Sequence, residues 1–91
     1  MLTRAHLKIK GRVQRVAFRY FTRDQARRLG LTGFVRNLRD GTVETIFEGE
    51  EVKVEEMVQW CHEGPVSARV DEVVVKRGPA TGEYQRFEII S

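Results

Sequence analysis

Residues 4–30 read Arg-Ala-His-Leu-Lys-Ile-Lys-Gly-Arg-Val-Gln-Arg-Val-Ala-Phe-Arg-Tyr-Phe-Thr-Arg-Asp-Gln-Ala-Arg-Arg-Leu-Gly. Two periods meet in this stretch. From Arg4 to Lys10 the chain alternates. Ala5, Leu7 and Ile9 point one way, and Arg4, His6, Lys8 and Lys10 the other, which predicts a strand with one dry and one wet face. Gly11 is expected to end it. From Phe18 the repeat lengthens. Phe18, Phe21, Thr22, Gln25, Ala26 and Leu29 fall on one helical stripe, and Gly30 fits a left-handed C-terminal cap.

The rest of the chain continues the alternation of elements. Thr32 to Leu38 has strand character, and Asp40-Gly41 reads as a two-residue hairpin turn. On the returning strand, Val43, Thr45 and Phe47 face opposite Glu44, Ile46 and Glu48, and Gly49 closes it. A second helix is predicted from about Glu50 to His62, with Val54, Met57, Val58 and Cys61 on its apolar stripe. Glu50, Glu51, Glu55 and Glu56 crowd its N-terminal half, where the helix dipole favours anions. Gly64-Pro65 stops it. Val70 to Lys76 is a fourth strand, and Arg86 to Ile90 a short fifth. The order is β-α-β-β-α-β plus a terminal strand. Two right-handed crossovers place both helices on one face of a mainly antiparallel sheet. The expected class is therefore α+β, a ferredoxin-like two-layer sandwich with a wet outer sheet face.

Composition agrees and excludes. The chain has 91 residues, enough for a single domain spanning residues 1–91 and too few for a barrel of about 250 residues. Charged residues make up 32% and hydrophobic ones 41%, which is not the signature of disorder. Sixteen Lys and Arg against 13 Asp and Glu give a net charge of +3. That excess suits an anionic ligand without pointing to nucleic acid. Cys61 is the only cysteine, so no intrachain disulfide forms and a disulfide-stapled secreted scaffold is excluded. The first ten residues carry charges throughout, with no signal core or membrane-spanning run. A cytoplasmic location and no membrane partner are the default expectations.

Three absences narrow the chemistry. There is no Cys-x-x-Cys pair, so a thiolate metal site is not expected. His6 and His62 are far apart and fit no ligand pattern. Cys61 lies on an apolar helix stripe, where a buried inert thiol is the expected reading. Two features remain. Residues 11–19 join the first strand to the first helix. The N–H groups of such a turn and of the helix start can cradle an anion, and Arg19 can add a planar fork. Asn37 ends the second strand, where its amide either favours the turn or orients a water or substrate oxygen. Each feature alone is weak, because most such loops bind nothing.

Together they carry a resemblance. Gly11-Arg12-Val13-Gln14-Arg15-Val16-Ala17-Phe18-Arg19, then Gly33-Phe34-Val35-Arg36-Asn37 and Asp40-Gly41-Thr42-Val43-Glu44, resemble the acylphosphatase family. The 18-residue gap from Arg19 to Asn37 matches the family's spacing. The likeness continues through Met57, Trp60, Gly64-Pro65, Ala68, Val70 and Val73 to Phe87-Glu88-Ile89. It implies a hydrolase that converts small acyl phosphates to a carboxylate and inorganic phosphate. It implies Arg19 as the phosphate-binding arginine and Asn37 as the water-orienting asparagine. Backbone groups of Gln14, Arg15, Val16, Ala17 and Phe18 would hold the phosphoryl oxygens. It implies no cofactor and no metal, and a monomer is expected.

One position departs from the family. Arg15 stands where the family usually has Gly. Either that position needs positive φ, or it only needs room for the phosphate, or Arg15 adds a cation for the substrate. Two other functions compete. One is a non-catalytic or weakly active domain that binds an acyl or carbamoyl phosphate. The other is an RNA-binding module, which shares the topology but needs stacking aromatics on the central strands. The wet faces of the first and third strands offer none.

Overall fold

The computed structural model describes all residues, 1–91. The elements are β1 (Leu2–Arg12), α1 (Phe18–Arg28), β2 (Thr32–Asn37), β3 (Val43–Glu50), α2 (Glu51–Glu63), β4 (Arg69–Pro79) and β5 (Phe87–Ile89). The sheet order is β4-β1-β3-β2-β5. Every pairing is antiparallel except that of β2 with β5. The two helices cover one face, and the expected ferredoxin-like α+β sandwich is the fold.

The core follows from the periodicities. Ala5, Leu7 and Ile9 of β1 are fully buried, as are Val43 and Phe47 of β3 and Val35 of β2. Against them pack Phe18 and Ala26 from α1 and Val54, Met57, Val58 and Cys61 from α2. Each fully buried large side chain contributes about 1.5–3 kcal/mol over an exposed one. Burial pushes the Cys61 thiol well above its ordinary pKa, so it is an inert core group.

Four expectations need correction. First, β1 does not end at Gly11. It runs on to Arg12, paired with Arg69, through a bulge between Lys10 and Gly11. Gly11 has φ 136, and a Cβ there would collide with the Arg69 carbonyl oxygen. Its role is close backbone approach within a strand.

Second, the β2–β3 connection is not a two-residue turn. The Gly41 N–H donates to the Leu38 carbonyl at 3.2 Å and the Leu38 N–H to the Thr42 carbonyl at 2.9 Å. Arg39 and Asp40 are therefore the central pair, and Gly41 follows at φ 91. This is the longer hairpin, a turn followed by a left-handed residue.

Third, the stripe of α1 is narrower than expected. Phe18, Thr22 and Ala26 are buried, spaced by four. Phe21 is 48% exposed, because its flank faces the cleft toward α2 and not the sheet.

Fourth, the outer sheet face is not uniformly wet. Glu48 is only 3% exposed and Ile46 6%. The 80–84 loop folds over Glu48. The Glu48 carboxylate accepts from the N–H and hydroxyl of Thr81, from the Gly82 N–H, and from Arg4 Nη1 at 3.1 Å.

Candidate active site

Strand polarity brings the candidate residues to one end of the sheet. Ile9 pairs with Val43, and Val43 pairs with Asn37. The end of β1 and the end of β2 therefore flank β3. The chain leaves β1 after Arg12 and enters α1 at Phe18. Both feet of this arch are anchored, since Val13 and Phe18 are each 1% exposed. Thr22 Oγ1 donates to the Phe18 carbonyl at 2.8 Å, and the Phe18 ring lies 5.8 Å from that of Trp60.

Between the anchors the backbone is strained. Arg15 has φ 64 and Ala17 φ 60, the only non-glycine residues with positive φ. The sign of φ therefore alternates along Gln14, Arg15, Val16 and Ala17. An L-residue in the left-handed region costs roughly 1–2 kcal/mol. Such outliers collect where structure serves a site. Alternating handedness turns successive N–H groups toward one side, the backbone geometry of a nest, which can hold an anion. The N–H groups of Arg15, Val16 and Ala17 donate to no backbone carbonyl. Those of the first turn of α1 have no intrahelical acceptor either. Donors from the loop and the helix start thus share one end. The first of the readings left open for Arg15 holds, because that position has positive φ. Its side chain is exposed.

Arg19 sits in the first turn of α1, half-buried. The ion pairs of the molecule leave Arg12, Arg15 and Arg19 without a carboxylate partner. The cationic side chains of the outer sheet face differ. Arg4 meets Glu48, His6 meets Glu44 at 2.8 Å, and Lys8 meets Asp40 at 2.8 Å. His6 has this carboxylate because β1 and β3 are neighbours. His62 donates Nδ1–H to the Val58 carbonyl, one helical turn back. No cluster of His, Cys, Asp and Glu is arranged to hold a metal ion.

Asn37 ends β2. Its Oδ1 is buried and has no hydrogen-bond partner. A buried unpaired acceptor is uncommon and calls for an explanation. The hairpin beside it is firmly held. Asp40 Oδ1 accepts from the Thr42 N–H at 3.1 Å and the Thr42 hydroxyl at 2.6 Å. Lys8 Nζ and these bonds hold the Asp40 carboxyl well below the usual carboxylate range.

Sequence reasoning missed two braces. Gln14 was expected to act through its backbone. Its side-chain Nε2 donates to the Leu38 and Thr42 carbonyls, each at 2.8 Å. The arch is thereby tied to the hairpin that carries Asn37. On the opposite flank, Ser67 Oγ donates to the Val16 carbonyl at 3.0 Å. Partners 24 and 51 residues away leave no local signal.

Comparison with known proteins shows the family. Residues 5–89 match the family profile described as Acylphosphatase. The chain is 59% identical over 88 residues to an acylphosphatase of Trichormus variabilis, covering 97% of this chain and 86% of that one. It is 51% identical over 89 residues to one of Geobacter sulfurreducens, covering 98% of each. The crystal structure of acylphosphatase from Bacillus subtilis superimposes with a TM-score of 0.93 at 33% identity, over the whole of both chains. With the nest, the arginine and the asparagine at one end of this fold, the chain belongs to the acylphosphatase family.

Proposed function

We propose that this chain hydrolyses small acyl phosphates to a carboxylate and inorganic phosphate at the site formed by the 14–18 arch, Arg19 and Asn37. The observation that carries the site assignment is the pair of left-handed residues, Arg15 and Ala17. They aim unpaired N–H groups at one point beside a half-buried arginine that lacks a carboxylate partner.

The chemistry asks little more of the protein. The phosphoryl group sits in the nest, and its oxygens take N–H bonds and the Arg19 fork. A water held by Asn37 attacks phosphorus in line. The new P–O bond forms as the bond from phosphorus to the acyl oxygen breaks, and the carboxylate departs with that electron pair. The water's proton passes to a phosphate oxygen, since neither arginine nor asparagine is a base at neutral pH. The buried Asn37 Oδ1 is the acceptor that would orient this water. Holding reactants in line and stabilising the spreading charge are the protein's two tasks. No metal and no organic cofactor is needed in this scheme.

Ion pairing on the outer face supports a small anion as the ligand rather than a nucleic acid, since Arg4, His6 and Lys8 are already matched by carboxylates. No helix is long and apolar enough to cross a membrane. The test is turnover of a benzoyl-phosphate-type substrate by the purified chain, followed as loss of the acyl phosphate. Release of benzoate and phosphate at enzyme rates supports the assignment. Binding without turnover would favour the non-catalytic alternative.

A further inference from the structure

A residue takes its φ and ψ from the two rigid peptide planes that flank it. Ala17 is left-handed, with φ 60 and ψ 21, and hydrogen bonds fix both of its planes. On the helix side, the Ala17 carbonyl accepts from the Phe21 N–H at 3.1 Å. On the arch side, the Val16 carbonyl takes no backbone N–H. Its partner is Ser67 Oγ, which donates to it at 3.0 Å. No peptide bond in the chain is cis, and in a trans plane the C=O and the following N–H point in opposite directions. Ser67 draws the Val16 carbonyl to its own side and so turns the Ala17 N–H, which has no backbone acceptor, the other way. A flip of this plane would carry Ala17 to negative φ, the region an L-residue prefers. The Ser67 bond opposes that flip.

Ser67 is itself held in place. The Ala68 N–H donates to the Pro65 carbonyl at 2.9 Å, closing a turn with Val66 and Ser67 at its centre. Arg69, two residues on, pairs with Arg12 at the foot of the arch. Gly64, at the start of this connection, passes so near Phe18 that a Cβ there would lie 2.8 Å from its ring. The serine thus reaches the arch from a segment fixed at both ends.

We infer that Ser67 is a positioning residue for the phosphate: it keeps the Val16–Ala17 peptide in the orientation that offers the Ala17 N–H to the anion. The inference rests on the arch being the phosphate site, as proposed above. Ser67 acts through one peptide plane and touches no substrate atom. Its side chain is exposed, so water competes for the bond, and the effect is smaller than that of Arg19.

The experiment compares the parent chain with Ser67→Ala and Ser67→Thr. Affinity for inorganic phosphate is read from the shift of the Ala17 amide signal in NMR titrations, and kcat/KM is measured on benzoyl phosphate. Circular dichroism checks that each variant is folded. Ser67→Ala is expected to weaken phosphate binding about three- to tenfold, the range of one net hydrogen bond, and to lower kcat/KM by a similar factor. Ser67→Thr keeps the hydroxyl and should restore both. Parental phosphate affinity and an unchanged Ala17 shift in Ser67→Ala overturn the inference and leave the activity standing. An equal loss in Ser67→Thr also overturns it, because the loss would then not depend on the hydroxyl. A parent whose Ala17 amide does not respond to phosphate overturns the arch as the site, and the role of Ser67 with it. Phosphate binding without turnover in the parent would end the proposed activity, while the affinities of the variants still decide the role of Ser67.

Discussion

The Gln14 side-chain amide lies 2.8 Å from the Leu38 carbonyl oxygen and ties the anion nest to the residue that follows Asn37. The same nitrogen reaches the Thr42 carbonyl, also at 2.8 Å. One side chain thus spends both its N–H donors on holding the two halves of the site in register. Gln14→Leu removes both bonds while keeping most of the volume. Each carbonyl keeps its backbone donor, from Gly41 and from Leu38, so the loss is that of the two bonds themselves, about 0.5–1.5 kcal/mol each. Urea unfolding should show that loss. Turnover should fall with little change in the pH profile, since no titrating group is touched.

Arg15 carries backbone strain in the middle of the nest. Arg15→Gly relieves roughly 1–2 kcal/mol of left-handed strain. Glycine's extra freedom in the unfolded chain returns about 0.5–1 kcal/mol of that. Stability should therefore rise slightly, and activity should stay similar or increase. A large fall in kcat/KM would show that the Arg15 cation acts on the substrate.

Asn37 should separate turnover from binding. Its Oδ1 makes no bond in the folded chain, so Asn37→Ala should cost little stability. Inhibition by inorganic phosphate should hardly change, while kcat drops. Equal losses in kcat and phosphate affinity would contradict a water-orienting role.

Glu48 gives the fold an acid-sensitive clip. Burial alone would raise its pKa, but the Thr81 and Gly82 donors and Arg4 outweigh burial and hold it below the ordinary 4.5. A carboxyl lowered on folding contributes stability that is full above its unfolded pKa and is lost as pH falls through the folded one. Melting temperatures should therefore decline below about pH 4.5, the unfolded value. Glu48→Gln should start lower and flatten that decline.

The fold was legible because β1 and α2 carry a clean period with one buried face, and the inward residues of β3 (Val43, Thr45 and Phe47) keep theirs. What escaped was set by distance. Gly11 looked like a strand end because a bulge depends on β4, whose Arg69 lies far along the chain. Glu48 looked exposed because only the 80–84 loop, remote in sequence, covers it. At the site, the place of Arg19 and the arch between strand and helix was a weak signal alone, and the family resemblance supplied their expected roles. The strain at Ala17 and the braces from Gln14 and Ser67 were not legible, because neither an alanine nor a pair of polar side chains declares a φ value or a distant partner.

Arg19 is the group on which the account depends most. It is half-buried at the nest, with no carboxylate partner. Removing one preorganised charge-stabilising donor typically costs about 10²–10³ in rate. The decisive measurement is kcat/KM of Arg19→Ala on benzoyl phosphate, with circular dichroism verifying the fold. A fall of at least that size in a folded variant is the predicted result. Near-normal turnover in a folded Arg19→Ala would contradict the assignment of the site.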